Sequence, residues 1–240
     1  MDTGQTKSKK RVADHGEVFT AEREVNAMLD LVKGEAERID SRFLEPACGN
    51  GNFLAAILRR KLQTVAARYK KDAAGFERYA VLAVTSLYGV ELLQDNVTEC
   101  RARLFAIFDA EYTKHCQTHN DDTRAAVRHI LARNILCGDA LTLKASNGGP
   151  IVFAEWSPLN GSLLKRRDFR LDQLLRDKEM AVPRPLFDDL DSYTGVDWQG
   201  VQPSLFDEPA PYTKDASGAW VLNPVREFPP VHYREVPKYE

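Results

Sequence analysis

No stretch of this chain is apolar for long enough to cross a bilayer, and the opening MDTGQTKSKK lacks the hydrophobic centre of a secretory signal. A soluble cytoplasmic protein with no membrane contact is therefore expected. Cysteine is scarce: Cys48, Cys100, Cys116 and Cys137 are scattered without the paired spacing of a metal site, so the thiols read as reduced and packed. An excess of either charge is lacking too. The formal net charge is -2, so nucleic-acid contact would have to come from local basic patches and not from a global field.

What is present suits one ordinary domain with extensions. The 240 residues are 43% hydrophobic and 28% charged, enough to bury a core of that size. Residues 1–16 are polar and lysine-rich, and are expected to stay mobile until a partner orders them. From Thr20, a plausible N-cap, Val25, Met28, Leu29 and Leu31 recur at helical spacing. RFLEPACGNGNFL then reads as strand, glycine turn and helix. A helix from about Phe76, the strand YGVEL, the long amphipathic run DNVTECRARLFAIFDAEY and a helix near Thr123 to Arg133 lead to the strand NILCGDAL. After the turn SNGG, PIVFAEW reads as a fourth strand. This alternation over 17–167 predicts the α/β class, with a doubly wound, mainly parallel sheet. Residues 168–240 offer one short helix, RLDQLLRDKEM, and then a proline-rich, largely irregular extension. Prolines at 183, 185, 203, 209 and 211 remove the amide donors a strand needs, so this tail is expected to act as an adaptor and not to finish the sheet.

The segment from Glu45 to Phe53 carries most of the chemistry. Gly49 and Gly51 let backbone approach a ligand closely and aim helix N–H groups at it. Phe53 and Leu54 stand where a dinucleotide fingerprint wants a third small residue, and no GK[ST] follows, so pyrophosphate ligands lose ground. EPACGNGNFL resembles the first motif of adenine-specific, amino-group DNA methyltransferases, [DE]PACGSGxFL. The resemblance implies a Rossmann-like fold and S-adenosylmethionine as cofactor, with Glu45, Ala47, Cys48, Gly49, Asn50 and Gly51 around its methionine part. Upstream, GEVFTAEREV resembles the family's GxxxTPxxxV segment in the gamma-type order of motifs, which implies that Phe19 and Thr20 cover the cofactor; Ala21 replaces the usual proline. Phe19 also reads as a core anchor ahead of the helix.

The acid of YGVEL, Glu91, can accept both ribose hydroxyls as a bidentate carboxylate, or can serve as a solvated helix-start charge. CGDAL resembles the family motif whose aspartate accepts from the adenine amine, which implies that role for Asp139, with Ala140 leaving room for the base. Glu45, Glu91 and Asp139 are thus expected at the carboxyl ends of adjacent strands, where open sheets bind ligands.

The family's transfer chemistry runs through [DNS]PP[FYW], whose acceptors orient the target amine while an aromatic ring stacks on the flipped base. Here FAEWSPLN aligns Ser157 and Pro158, with Leu159 and Asn160 departing from the pattern. Trp156 reads either as a base-stacking ring or as core. Lys165, Arg166 and Arg167 could grip phosphates, or be solvated. The resemblance spans about Phe19 to Asn160, the cofactor-binding half of the family's fold, which implies a protein partner that completes the site. In the tail, VQPSLFDEP resembles the peptide by which bacterial proteins dock on the sliding clamp, through Gln202, Leu205 and Phe206; the same apolar pair could instead anchor the tail on its own domain. Two functions stand: an adenine-specific methyltransferase of a DNA-modification or restriction-modification system, acting on DNA with a partner, or a catalytically inactive cofactor-binding or fold-only adaptor.

Overall fold

The computed structural model describes residues 7–15, 17–180, 212–214 and 220–239. Helices α1 (Lys9–His15), α2 (Glu22–Leu31) and α3 (Lys33–Glu37) precede strand β1 (Phe43–Glu45). Helices α4 (Asn52–Arg68) and α5 (Ala73–Thr85) connect β1 to β2 (Leu87–Glu91), and α6 (Gln94–His115) and α7 (Asp121–Asn134) connect β2 to β3 (Ile135–Asp139). These strands are parallel in the order β1-β2-β3, and the short β4 (Lys144–Ala145) runs antiparallel beside β3. The strand–helix alternation of the sequence is thus realised as a mixed α/β fold around a parallel core.

Both crossovers step in the same direction across the sheet, so right-handed connections bring their helices to one face. There Leu87 packs with Leu54 and Leu58 of α4, Phe76 of α5, Leu104 and Phe108 of α6 and Ile130 of α7. Lys61 is fully buried on the same side, donating to the Ile39 and Ser41 carbonyls and, at 2.6 Å, to Ser86 Oγ. Burial pulls its pKa down to about 7. Strand alternation turns Tyr88 and Val90 the other way, onto Ile151, Phe153 and Leu171.

That second face is where the fold departs from the doubly wound expectation. It is covered by an antiparallel hairpin, β5 (Val152–Pro158) with β6 (Leu163–Arg170), and by the start of α8 (Leu171–Met180), not by a second pair of crossover helices. The link from Ala140 to Ile151 carries no helix, and a parallel return needs a long crossover. The fourth strand therefore runs backwards. Its start is held at the far end of β3, where Ile151 N donates to Leu143 O, and its end reaches the strand beginnings, where Glu155 pairs with Arg42 at 2.7 Å.

The ends of the chain also differ from expectation. Of residues 1–16, expected to be mobile, Lys9–His15 form α1, and Arg11 holds Glu17 and Asp95 at 2.6 Å each. Within the extension, β7 (Tyr212–Lys214) pairs with β8 (Trp220–Leu222), while β9 (Arg226–Glu227) and β10 (Val231–His232) both pair with β6. The tail does extend a sheet. β9, between Pro224 and Pro229, and β10, directly after Pro230, are two residues each and need few amide donors, so these prolines do not forbid them. A 3-10 helix (Tyr233–Lys238) then buries Tyr233 and Val236 in the main core. Gln202, Leu205 and Phe206 lie outside the described residues.

Candidate functional site

Parallel strands ending together place Glu45, Glu91 and Asp139 around one cleft of about 530 Å³. Phe19, Thr20, Ala47, Cys48, Gly49, Asn50 and Ala140 line it as well. Gly51 sits just beneath, in the left-handed region at φ +87°, at the N-cap of α4. A β-carbon there would stand 2.6 Å from Cys100 Sγ, so the turn can pack on α6 only as glycine. Gly51→Ala should therefore cost about 2 kcal/mol through strain and contact together. Adding Cys100→Ala removes the contact but not the strain, so the double variant should recover part of the loss in a thermal melt. Strictly additive effects would contradict this packing.

Each loop residue has a mechanical reason for its place. The Phe19 ring is 9% exposed and lies against Gly49, 3.0 Å from where a β-carbon would be, so it is a core anchor and a cleft wall at once. Thr20 is not the N-cap of α2; Ala21 is, and the Thr20 carbonyl accepts from Asn52 Nδ2 at 2.9 Å. Asn50 Nδ2 donates to Glu99 at 3.0 Å. The neighbouring Cys100 thiol, together with burial, pushes the Cys48 thiol pKa up.

The acids differ in state. Glu45 is half-buried and, among the described residues, meets no cation; desolvation raises its pKa, partly offset by the Ala47 amide. Glu91 is 9% exposed, its Oε2 accepting from Gly49 N at 2.9 Å and its Oε1 from Leu93 N at 3.1 Å and Asn96 Nδ2 at 3.2 Å. It therefore holds the glycine turn against the start of α6. Asp139 accepts from Leu141 N at 2.8 Å and Thr142 Oγ1 at 3.0 Å, and these bonds, the Leu141 amide first, lower its pKa. Sequence reasoning missed Glu17, whose pKa is lowered chiefly by its bond from Arg11. It also missed Asn96, which lines the cleft at 1% exposure. Among the described residues, no lysine, arginine or histidine lines the cleft.

The residues aligned with the transfer motif are elsewhere. Trp156 is 3% exposed, donates from Nε1 to Asn134 Oδ1 at 2.9 Å and packs edge-on to His129, so it is core and cannot stack on a base. Trp156 and Pro158 line a separate small cavity with Arg42, Thr85 and Ser86, beside the beginnings of β1 and β2. Ser157 is opposite Lys165 in the hairpin. Roughly 15 Å of strand separates the two ends of β2, against the ~3–3.5 Å that group transfer requires. The basic run is not free either. Arg166, 2% exposed, forks onto Asp168 at 2.7 and 2.8 Å, Arg167 pairs with Glu155 at 2.6 Å, and Lys165 pairs with Glu227.

Compared with protein-family models, with curated proteins and with solved structures, the chain matches none. Among the described residues, no group of three or more His, Cys, Asp and Glu side chains could hold a metal, and no helix is long and apolar enough to cross a membrane.

Proposed function

We propose that the cleft binds S-adenosylmethionine and that the chain is the cofactor-binding half of an adenine-specific DNA methyltransferase, needing base-holding residues from another segment or a partner. The observation that carries this reading is the lining: Glu17, Glu45, Glu91 and Asp139, with no basic side chain among the described residues that line it, around a glycine turn. Arg11 offsets Glu17, and the other three carboxylates repel phosphates. Such a wall favours a nucleoside that brings a net positive charge, an ammonium, a ribose diol and an adenine amine, all donors to carboxylates. Glu45, half-buried and meeting no cation among the described residues, suits the ammonium; Glu91 suits the ribose and Asp139 the adenine amine, with Phe19 and Ala140 forming apolar walls. The bound cofactor would supply an electrophilic methyl group on its sulfonium. The adenine target rests on the likeness of EPACGNGNFL and CGDAL to that family, and the Rossmann-like methyltransferase fold belongs to the same proposal.

The position of Ser157 and Pro158 away from the cleft favours a cofactor-binding subunit over an enzyme complete in itself. Calorimetry tests the reading: S-adenosylmethionine should bind at concentrations where ATP gives no heat. Binding should weaken as pH falls through the raised pKa of Glu45, since the protonated acid no longer attracts an ammonium. A preference for ATP, or no heat with millimolar S-adenosylmethionine on folded protein, rejects the proposal.

A further inference from the structure

We infer that Asn96 is a second ribose-binding residue of the cleft, a donor held by Glu91 in the free protein and passed to a sugar hydroxyl when a nucleoside enters. The inference rests on the nucleoside reading above.

Asn96 lies in the first turn of α6, 1% exposed and on the cleft wall. Its amide orientation is fixed by its neighbours. Nδ2 faces two carboxylate oxygens, Glu17 Oε1 at 2.6 Å and Glu91 Oε1 at 3.2 Å, while Oδ1 faces Lys7 Nζ at 2.7 Å. The reversed amide would set an oxygen against two carboxylates and an N–H against an ammonium.

The acceptor capacity of Glu91 supplies the next step. A carboxylate offers about four lone-pair sites. The Gly49 and Leu93 amides and Asn96 Nδ2 take three of them. A ribose diol brings two donors, so one present bond must give way. The two amides are fixed by the glycine turn and the helix start. The Asn96 bond is the longest of the three and the only one made by a side chain, so it yields first.

Its freed N–H would then be buried without a partner, which is unfavourable unless an acceptor is close. The incoming hydroxyl oxygen is that acceptor. One hydroxyl donates to Glu91 and accepts from Asn96, while the other Nδ2 hydrogen stays on Glu17. The exchange leaves every donor satisfied and makes Asn96 a reader of the sugar hydroxyl.

The test compares adenosine with 2′,3′-dideoxyadenosine by calorimetry on wild type, Asn96→Ala and Asn96→Ser. Wild type should favour adenosine. Asn96→Ala should reduce that preference by roughly three- to tenfold, the worth of one hydrogen bond, while dideoxyadenosine affinity stays within about twofold. The serine hydroxyl should restore part of the preference. Equal weakening of both ligands by Asn96→Ala would mean that Asn96 only supports the wall, and would overturn the inference while leaving the nucleoside reading intact. Wild type that binds neither nucleoside overturns both. Should the variants fail to fold, a crystal structure of wild type with adenosine decides the same point: Nδ2 within hydrogen-bond reach of a ribose oxygen supports the inference, and Nδ2 still on Glu91 and away from the sugar overturns it.

Discussion

Glu77→Ala is expected to lower the melting temperature by about 10 °C and to release the C-terminal 3-10 helix. Glu77 is 4% exposed on α5, where it accepts from Thr123 Oγ1, Tyr233 Oη and Arg234 Nε at 2.7 Å each and from Tyr112 Oη at 3.1 Å. One carboxylate thus joins α5, α6, α7 and the end of the chain. Leaving the buried Tyr112, Thr123 and Tyr233 hydroxyls without their acceptor costs roughly 1–3 kcal/mol each, while Arg234, 35% exposed, turns to water, and in a domain of this size each kcal/mol is worth roughly 2–4 °C. Burial alone would raise the Glu77 pKa, but the bonds from Arg234, Thr123 and Tyr233 outweigh it and hold the pKa below its ordinary 4.5. The stabilisation is therefore full above pH ~4.5 and fades as pH falls through the lower folded value. Circular-dichroism melts of wild type and variant at pH 7 and at pH 3 check both parts. A shift under about 2 °C at pH 7, or a difference that grows in acid, would show that the tail is not fastened this way.

This fastening changes what the extension can be. The pair Leu205 and Phe206, read as an anchor either on a partner or on the chain's own domain, lies outside the described residues; the described part of the extension buries Tyr233, Val236 and Tyr239 in the chain's own core, and Tyr239 Oη donates to the Leu164 carbonyl at 2.9 Å. Such contacts were not legible in the sequence, because Glu77 and Arg234 lie 157 positions apart and no local pattern joins them. The cleft was legible for the opposite reason. Glu45, Glu91 and Asp139 each end a short apolar run, and a parallel sheet lines up such ends whatever the intervening helices do. Asn96 and Glu17 escaped notice as ordinary polar residues whose meaning comes from meeting Glu91 and Arg11 in space. The direction of β5 was partly written in the chain: SNGG with no helix before PIVFAEW points to a reversal, whereas the expected parallel sheet counted PIVFAEW as a fourth member of the strand–helix alternation. Of the two readings open for Trp156, base-stacking ring or core, the structure shows core; what the sequence could not show is that its Nε1 meets Asn134, a partner visible only once α7 and β5 are packed.

If the cleft alone handles the cofactor, Glu91→Ala and Ser157→Ala should behave oppositely. Glu91→Ala removes the acceptor of the Gly49 and Leu93 amides as well as the proposed ribose contact, so the glycine turn loses its tie to α6. Leaving buried donors unpaired costs roughly 1 to 3 kcal/mol, and the lost ligand bonds add to it, so S-adenosylmethionine affinity should fall on the order of 100-fold. Ser157 is half-buried on the hairpin, at the end of the sheet away from the cleft, and Ser157→Ala should leave affinity within about twofold of wild type. Transfer of tritiated methyl to adenine-containing duplex DNA gives the companion readout. The isolated chain should show none above background, because Trp156, Ser157 and Pro158, the residues aligned with the transfer motif, lie away from the cleft, and stacking alone contributes ~1–3 kcal/mol per base. Adding the polypeptide that supplies such a loop should start the reaction, and Glu91→Ala should abolish it in the mixture while Ser157→Ala does not. Methylation by the chain alone that disappears with Ser157→Ala would instead require β5 to turn round and bring Ser157 to the cofactor, which the pairing of Glu155 with Arg42 and of Trp156 with Asn134 opposes.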